Sequence, residues 1–412
     1  MKILVVHQYY LMPGSPGGSR FNEFARLWRE AGHEVTVIAG NLDYATGQVP
    51  ARYQGRFITR EDDQGTTVYR CAVPQSYAKG FVGRAAAFAG FTFSALVAAL
   101  RVARPDVVVA TSPPLVAAIP GFVAARARWR RVPWVFEIRD LWPESAVTTG
   151  VLSATSPLTR ALYGLERWAV RGASKVNVLT PAFREDLVRR GLCGDDHVVF
   201  VPNGADVEQF VPGPRDNAVR RELGWGDKTV VMYAGAHGRA NALGQMIDAA
   251  ERLKHRPDLL LCTIGDGPER AALEAETARR GLDNLKFYGA QPKARVADFI
   301  NACDIGAAVL QNNPTFRTVY PNKVFDYMAC MRPTLLAIDG VARDLVVTQA
   351  QAGRFVEPEN GAAFAAEAVA LADDPEARQT LGENGRRWVL EHATRASLAA
   401  RYLRVFEELV AR

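Results

Sequence analysis

Cysteine and histidine are scarce in this 412-residue chain, which contains five cysteines and six histidines. The cysteines are far apart in sequence, form no Cys-x-x-Cys pair and have no clustered histidines beside them. This argues against zinc sites and disulfides and favours free buried thiols in a reducing cytosol. The apolar run at the N-terminus is too short for a signal peptide, and nothing clearly spans a membrane. We therefore expect a cytoplasmic protein.

The composition is that of a well-folded soluble protein, with 48% hydrophobic and 23% charged residues. A chain of this length exceeds one ordinary core, so two domains of roughly 200 residues each are expected. The net charge of +6 fits anionic small molecules or an anionic membrane surface. No aromatic-basic interleaving or known module indicates nucleic-acid binding.

Short apolar runs alternate with helical patterns in both halves, which predicts two doubly wound α/β domains. The stretch from Pro202 to about Arg221 carries prolines and glycines and is predicted to link them. Strands are predicted at 2–7, 34–39, 68–72, 107–111, 134–138, 175–179 and 197–201 in the first half. In the second half they are predicted at 229–234, 259–264, 284–288, 304–310, 334–338 and 353–356.

Four consecutive strands of the second half end in glycines or in a cationic loop. The last of these loops leads to a helix predicted to begin at Asn322, whose free N–H groups would attract an anion. Lys323 adds a positive charge there, and Asp326 offers acceptor oxygens about one turn later. This arrangement suits a diphosphate beside a ribose, as in a nucleotide sugar. A surface helix with a solvated lysine and aspartate is the alternative.

Two strand ends in the first half are also candidate ligand-binding positions. The first strand is followed by Gly14, Gly17 and Gly18, which let the backbone approach a ligand or simply form a tight turn. Their spacing differs from the dinucleotide fingerprint, so a nicotinamide enzyme is disfavoured. The strand at 134–138 ends in Arg139 and Asp140, at the edge where parallel sheets bind ligands, although these two side chains might equally pair with each other.

The segment between Asn41 and Lys79 is long for a connection, and we interpret it as an excursion near the site. The helix that follows has no charge from Ala85 to Leu100 and is closed by Arg101 and Arg104. Such a helix could lie in a bilayer interface or pack on the sheet as a core helix.

The chain resembles retaining glycosyltransferases of family 4 with the GT-B architecture, over essentially its full length. It is most similar to the branch that builds bacterial surface polysaccharides from amino and deoxy sugars. The resemblance is carried by Tyr10-Leu-Met-Pro-Gly-Ser-Pro-Gly-Gly-Ser-Arg20, Gly32-His-Glu-Val-Thr-Val37, Arg139-Asp-Leu-Trp-Pro143, Pro202-Asn-Gly-Ala-Asp206, Tyr233-Ala-Gly-Ala-His-Gly238, Gly265-Asp-Gly-Pro-Glu269 and Pro321-Asn-Lys-Val-Phe-Asp-Tyr-Met-Ala329.

The resemblance implies two Rossmann-like domains facing each other across a cleft. The acceptor domain would span 1–203, with a C-terminal helix at about 393–412 crossing back to it, and the nucleotide-sugar domain would span 204–392. The implied donor site comprises Gly17, Gly18, Gly235, His237, Arg239, Gly265, Asp266, Gly267, Tyr288, Pro321, Asn322, Lys323 and Asp326. Lys323 and Arg239 would contact the diphosphate, and Asp326 the ribose hydroxyls.

The implied catalytic residues are Asp140, Arg139 and Lys323, with Asp140 orienting the acceptor hydroxyl. Phe88, Phe91 and Arg101 would contact the acceptor or the membrane. Fixed cations would replace a metal ion, and no cofactor is expected besides the donor, a UDP-sugar. The acceptor would be a polyprenyl-diphosphate-linked glycan at the inner face of the membrane. The oligomeric state is not predicted.

The sequence departs from the family pattern in three respects. Thr318 and Asp326 occupy the places of two glutamates that are usual eight positions apart, and Met331 replaces a glycine. Arg139 stands where a histidine is frequent, and a guanidinium cannot act as a base at neutral pH. A sugar-nucleotide 2-epimerase and a non-catalytic scaffold of a polysaccharide assembly complex remain alternative interpretations.

Overall fold

A computed structural model describes residues 1–15, 20–43, 47–75, 80–126 and 131–411, with the side chains of all of these except Phe81 and Val82. The chain divides into two compact units. The N-terminal unit consists of Met1–Pro202 with Ala396–Arg412, and the C-terminal unit of Asn203–Arg395.

The N-terminal unit contains an eight-stranded sheet in the order β3-β4-β2-β1-β5-β6-β7-β8. The pairings are parallel except for β3 with β4. The central strands are buried on both faces, which explains their continuous apolar sequences. The strands are β1 (Lys2–Val6), β2 (Glu34–Gly40), β3 (Ile58–Asp63), β4 (Thr66–Cys71), β5 (Val107–Ser112), β6 (Trp134–Ile138), β7 (Lys175–Val178) and β8 (Val198–Phe200).

The antiparallel edge strand β3 was not predicted, because its sequence Ile-Thr-Arg-Glu-Asp-Asp has no apolar alternation. It forms a hairpin with β4 through Gln64 and Gly65, which both have positive φ angles of 52° and 88°. The Asp62 carboxylate accepts a hydrogen bond from the Gly65 N–H at 2.7 Å and supports this turn. The described part of the excursion between Asn41 and Lys79 therefore contains two strands, where the sequence predicted one.

Helices flank this sheet. In α1 the residues Phe21, Phe24 and Trp28 recur at helical spacing and are buried. The helices of residues 1–202 are α1 (Arg20–Glu30), α2 (Gly80–Arg101), α3 (Ala118–Arg126), α4 (Glu144–Thr148), α5 (Pro157–Gly172) and α6 (Pro181–Arg189), with 3₁₀ turns at Ala51–Tyr53, Leu115–Ala117 and Asp195–His197.

The C-terminal unit contains a six-stranded parallel sheet in the order β11-β10-β9-β12-β13-β14. The strand order reverses between β9 and β12, and such a reversal opens a crevice at the carboxyl edge of a sheet. The strands are β9 (Thr229–Ala234), β10 (Leu259–Ile264), β11 (Leu285–Phe287), β12 (Ile305–Val309), β13 (Thr334–Ala337) and β14 (Gly353–Phe355).

The helices of this unit follow its strands in the expected alternation. They are α7 (Ala218–Glu222), α8 (Gly244–Arg252), α9 (Arg270–Arg279), α10 (Lys293–Ala302), α11 (Asn322–Ala329), α12 (Val341–Arg343), α13 (Gly361–Asp373) and α14 (Pro375–His392). Two 3₁₀ turns at Arg239–Asn241 and Pro314–Thr318 and a π-helical segment at Asp344–Gln349 complete it.

The last helix, α15 (Arg395–Val410), packs on the N-terminal unit. Its Tyr402 and Phe406 lie against Trp28 of α1, with ring centroids 5.8 and 5.3 Å away. The Trp28 indole N–H donates to the Ala399 carbonyl oxygen at 3.0 Å. The apolar face of α1 is thus covered by residues more than 370 positions later in the chain.

Candidate functional site

The loops that follow β9, β10 and β11 are hydrogen-bonded to one another at the carboxyl edge of the C-terminal sheet. The Gly235 N–H donates to the Ile264 carbonyl oxygen at 2.9 Å, and the His237 N–H donates to the Asp266 carbonyl oxygen at 2.9 Å. The Gly265 N–H donates in turn to the Gly289 carbonyl oxygen at 2.8 Å. The three loops therefore form one connected backbone platform.

Two glycines allow this close contact between loops. A Cβ atom on Gly265, whose φ is +125°, would lie 1.9 Å from the Gly235 carbonyl oxygen. A Cβ atom on Gly267 would lie 2.6 Å from the His237 carbonyl oxygen. Both positions exclude any side chain, because non-bonded atoms do not approach so closely.

His237 is fully buried inside this platform. Its Nε2 atom lies 2.9 Å from the Thr263 hydroxyl, and its carbonyl oxygen accepts from the Glu269 N–H at 2.9 Å. Burial, followed by the charge of Arg270, lowers the pKa of the imidazole below its ordinary value. A neutral, enclosed imidazole shapes the loop and does not reach solvent.

Lys323 points its ammonium group at the same platform. Its Nζ atom lies 3.6 Å from the centre of the Tyr233 ring, and a Cβ atom on Gly235 would be 3.0 Å from it. The side chain is partly buried, and burial alone lowers its pKa to about 7. An ammonium over an aromatic face remains attracted to it, but the ring does not neutralise the charge.

Tyr327 fixes α11 against the sheet and so positions Lys323. The Tyr327 hydroxyl accepts from the Ala234 N–H at 2.9 Å and lies 3.2 and 3.1 Å from the carbonyl oxygens of Met232 and Ala307. These atoms belong to β9 and β12, the two strands between which the strand order reverses. Gly306 leaves room for the Tyr327 ring, since a Cβ atom there would be 2.4 Å from it.

The structure brings the start of α11 to this edge together with Lys323. Pro321 is the N-cap and is partly buried, Asn322 is exposed, and Asp326 is partly buried one turn later. Arg239 is exposed in the 3₁₀ turn that follows the β9 loop. A helix N-terminus, a lysine and an arginine on one sheet edge form a site suited to a polyanion.

Two further predicted residues have clear local partners. The Asp266 carboxylate accepts from the Gly267 N–H at 2.8 Å and lies 3.7 Å from Arg270. The Tyr288 hydroxyl accepts from the Trp225 indole N–H at 2.8 Å, and its ring packs on Trp225 and Phe299. Tyr288 therefore supports its loop through packing, while its backbone N–H donates to Thr263.

Thr318 and Met331, which depart from the family pattern, lie on either side of α11. Thr318 ends a 3₁₀ turn, and its hydroxyl donates to the Thr315 carbonyl oxygen at 2.7 Å. Met331 has a φ of +57°, a left-handed conformation that favours glycine. The chain thus keeps a backbone geometry in which most side chains are strained.

A second polar cluster lies at the carboxyl edge of the N-terminal sheet. His7 follows β1, and Arg139 and Asp140 follow β6, so that all three lie near the strand-order reversal between β1 and β5. The Arg139 guanidinium donates to the His7 Nε2 atom at 3.3 Å. Burial, followed by the charge of Arg139, lowers the pKa of His7 well below its ordinary value. His7 is accordingly neutral near pH 7.

Asp140 belongs to this cluster. The Ser145 hydroxyl donates to its Oδ2 atom at 3.0 Å, and burial raises the pKa of its carboxyl group. A carboxylate with a raised pKa is a better acceptor for a hydroxyl proton than an ordinary surface aspartate. The cluster can therefore orient a hydroxyl group.

Sequence reasoning missed His7, Gln8 and Ser145. Gln8 is buried, and neither polar atom of its side chain has a hydrogen-bond partner within the described ranges. The available signal was the pair of polar residues directly after the first apolar strand, at a sheet edge where ligands bind.

Two family models match the two halves of the chain. A glycosyl transferase 4-like domain matches residues 17–204, and the glycosyl transferases group 1 model matches residues 216–388. The putative colanic acid biosynthesis glycosyl transferase WcaI of Escherichia coli is 25% identical over 336 residues, covering 80% of this chain and 81% of that protein. The probable glycosyltransferase WbjE of Pseudomonas aeruginosa is 26% identical, covering 75% and 70%.

The chain is a GT-B glycosyltransferase.

Solved structures agree with this fold. Sucrose-phosphate synthase from Thermosynechococcus elongatus superposes with a TM-score of 0.77 at 17% identity, and each chain is covered to 100%. HepE from Anabaena, solved in complex with UDP-glucose, superposes with a TM-score of 0.73 at 19% identity, covering 99% of this chain and 100% of HepE. Both Rossmann-like units of the glycosyltransferase are thus represented in known proteins.

The remaining predicted residues are placed as follows. Gly17 and Gly18 lie outside the described residues of the glycosyltransferase. Arg101 is exposed and Phe88 is half-buried, but Phe91 is 0% exposed, so the expectation that it contacts lipid or acceptor is wrong. The stretch Gly83–Arg101 is long and apolar enough to cross a membrane, yet 44% of it is buried. Helix α2 packs on α3, β2 and β4 as a core helix does.

The described part of the glycosyltransferase contains no group of three or more histidine, cysteine, aspartate or glutamate side chains arranged to hold a metal ion. Its described cysteines are free thiols, and four of the five are buried.

Proposed function

We propose that this glycosyltransferase moves a hexose from a nucleoside diphosphate sugar to a lipid-linked or polysaccharide acceptor during synthesis of a cell-surface glycan. The transferred sugar is N-acetylated or deoxygenated, and the donor is a UDP-sugar. The names of two similar proteins support the role in glycan synthesis and the UDP-sugar donor. The relative WcaI is named for colanic acid biosynthesis, and the structural neighbour HepE was solved with UDP and UDP-glucose.

One observation carries the donor assignment. The Lys323 ammonium lies at the carboxyl edge of the C-terminal sheet, against the Tyr233 ring and the Gly235 backbone, where burial lowers its pKa. Among the residues that the structure describes, no carboxylate forms an ion pair with Lys323. A partly buried cation without such a partner is costly, and an anionic ligand removes that cost. A diphosphate supplies the required charge beside the first turn of α11.

The remaining residues take complementary roles. Arg239 and the N–H groups at the start of α11 share the charge of the leaving diphosphate with Lys323, which allows transfer without a metal ion. Asp326 binds the ribose hydroxyls, and Asp140 orients the acceptor hydroxyl. In a retaining reaction of this kind, the acceptor oxygen forms a bond to the anomeric carbon. The bond between the anomeric carbon and the phosphate oxygen breaks at the same time. The hydroxyl proton passes to the leaving phosphate, so no protein nucleophile is required.

The acceptor is a polyprenyl-diphosphate-linked glycan, and the enzyme works on the cytoplasmic face of the membrane. Exposed apolar side chains on α2 and its exposed Arg101 support this placement.

A nucleotide titration tests the proposal. UDP is expected to bind the wild-type protein, and Lys323→Ala is expected to lose about tenfold or more in affinity, since a charge-assisted contact contributes roughly 1.5–3 kcal/mol. Lys228→Ala is the matched control, because Lys228 is exposed just before the amino end of β9.

Failure of both UDP and GDP to bind, or an unchanged affinity in Lys323→Ala, would overturn the donor assignment. Slow hydrolysis of UDP-sugars by the purified protein is the expected companion result. Binding without any turnover would instead fit a non-catalytic scaffold.

A further inference from the structure

A cavity of about 290 Å³ lies in the C-terminal unit, at the amino edge of its sheet. Asp304 directly precedes β12 and Pro333 directly precedes β13, and both residues line the cavity. Lys323 lies at the carboxyl edge of the same sheet, at the other end of α11. The cavity is therefore separate from the proposed donor site.

Apolar residues make up much of the lining of this cavity. Buried Cys330 and Pro333 line it together with Pro212, Met331 and Pro375. A water molecule occupies roughly 30 Å³ in the liquid, so the volume corresponds to about ten waters. The cavity is thus large enough for a compact organic molecule.

Two arginines, Arg332 and Arg378, also line the cavity, and both are partly exposed. Arg332 donates to three backbone carbonyl oxygens at 2.8–3.2 Å, and Arg378 donates to two, both at 2.6 Å. Neither arginine forms an ion pair with a carboxylate of the residues that the structure describes. The carbonyl oxygens position the guanidinium groups without neutralising their charges.

Two nearby carboxylates are already paired with other arginines. Asp304 forms ion pairs with Arg215 at 2.5 Å and with Arg220 at 2.8 Å. Asp373, at the end of α13, forms an ion pair with Arg256 at 2.7 Å. The positive charges of the two arginines that line the cavity are therefore available to a ligand.

The carboxyl end of α11 does not oppose an anion in this cavity. The last carbonyl oxygens of a helix carry partial negative charge. Here the Ala329 carbonyl oxygen accepts from the Arg386 guanidinium at 2.8 Å, and the Tyr327 carbonyl oxygen accepts from the Arg332 N–H at 2.9 Å. The charge of Arg386 compensates this end of the helix.

We infer that the cavity is a further ligand site of the glycosyltransferase, which takes a small phosphate monoester. Guanidinium groups bind phosphate oxygens through paired N–H donors. Two of them match the charge of about −1.5 to −2 that a phosphate monoester carries at pH 7. The prolines and Met331 contact C–H groups of the organic part, and Gln379 lies beside its hydroxyl groups. A sugar phosphate combines these features.

The test uses ribose 5-phosphate as the probe, with ribose and inorganic phosphate as its separate parts. Binding is measured by calorimetry in the presence of saturating UDP, which occupies the proposed donor site and keeps the probe away from Lys323. The UDP-loaded wild-type protein is expected to bind ribose 5-phosphate more tightly than inorganic phosphate. Ribose at the same concentration is not expected to bind.

Two variants locate the binding. Arg378→Gln removes the charge and keeps an amide that can donate to a carbonyl oxygen. Gln379→Glu adds a negative charge and gives up only an exposed hydrogen bond to Glu383. Each is expected to weaken ribose 5-phosphate binding by about fivefold to tenfold, the effect of one charged contact.

Arg387→Gln is the matched control, because Arg387 is exposed on the same helix, α14, but does not line the cavity. It is expected to bind ribose 5-phosphate as the wild type does. UDP affinity should not change in any of the three variants, which separates loss of this site from loss of folding.

The inference is overturned if ribose 5-phosphate does not bind the UDP-loaded protein, since any binding without UDP would then belong to the donor site. It is equally overturned if Arg378→Gln and Gln379→Glu bind the ester as the wild type does, or if inorganic phosphate binds as tightly as the ester. If UDP itself does not bind, the donor assignment fails, and the same variants decide the inference in the absence of UDP.

Discussion

At the scale of single residues, the charge state of Lys323 depends on what occupies the site. Burial lowers the pKa of its ammonium to about 7 in the free protein, whereas an ordinary lysine titrates near 10.5. A diphosphate beside it would favour the charged form and raise that pKa again. Ligand binding above pH 7 is therefore coupled to the uptake of a proton.

We predict that UDP affinity falls as the pH rises from 7 to 9, by up to about tenfold per pH unit while the free lysine is neutral and the bound lysine is charged. Calorimetry in buffers of different ionisation enthalpy should show proton uptake at pH 8. In Lys323→Met both effects should disappear. A UDP affinity that does not depend on pH in the wild type would exclude this coupling.

The same shift affects stability with a definite sign. Between about pH 7 and pH 10.5 the unfolded chain holds the Lys323 proton more tightly than the folded chain does. The contribution of this residue to the free energy of unfolding therefore increases as the pH rises through that window.

Met331 illustrates how one residue departs from the family pattern without a change of backbone. Its φ of +57° is left-handed, and a side chain in that conformation costs roughly 1–2 kcal/mol. We predict that Met331→Gly is more stable than Met331→Ala by about 1 kcal/mol, measured by urea unfolding. At exposed Ala366 within α13, substitution by glycine should lower stability by about the same amount. Equal stabilities of the two Met331 variants would argue against the left-handed conformation.

At the scale of secondary-structure elements, the donor site depends on loops that contact each other through backbone atoms. Gly265 and Gly267 bring the β10 loop against the β9 loop, and the hydrogen bond from Gly265 to Gly289 adds the β11 loop. The backbone platform is consequently formed by the three loops together, and we expect a displacement of one loop to displace the others.

We predict that Gly265→Ala displaces the β9 loop and abolishes UDP binding, because its Cβ atom would lie 1.9 Å from the Gly235 carbonyl oxygen. Gly281→Ala is the matched control. Gly281 also has a positive φ of +61°, but nothing lies within 4 Å of its added Cβ atom. The control should lose only about 1–2 kcal/mol of stability and keep its UDP affinity, as calorimetry and urea unfolding can show. Normal UDP binding by Gly265→Ala would show that the loops move independently.

At the scale of the whole molecule, the chain returns at its end to complete the unit with which it began. Helix α15 covers Phe24 and Trp28 of α1 with Tyr402 and Phe406, and all four side chains are buried. The N-terminal unit therefore depends on residues that are separated from it in sequence by the entire C-terminal unit.

We predict that Phe406→Ala lowers the stability of the N-terminal unit by about 3–5 kcal/mol, the usual cost of truncating a buried phenylalanine. Hydrogen exchange should accelerate in β1 and β2 and remain unchanged in β9 and β12. Phe364→Ala, at a fully buried position of α13, should give the opposite pattern. Faster exchange in both units for both variants would mean that they unfold together.

The sequence by itself determined the class of fold and the positions of most strands. Parallel strands such as β5 and β10 are buried on both faces, so their sequences are continuous apolar runs that can be recognised without a structure. The glycines and Lys323 at the strand ends were equally visible, because parallel strands bring their carboxyl ends to one edge. Strand β3 was missed, since a polar edge strand carries no such pattern.

The tertiary structure decided which side chains face outward and how they are charged. The apolar sequence of α2 does not show which face packs on the sheet, so only the fold separates buried Phe91 from exposed Phe93. The lowered pKa of Lys323 arises from its burial, and His237 is enclosed beside Thr263, so both depend on residues distant in sequence. Burial and charge depend on all neighbours in space, whereas the local pattern records only neighbours along the chain.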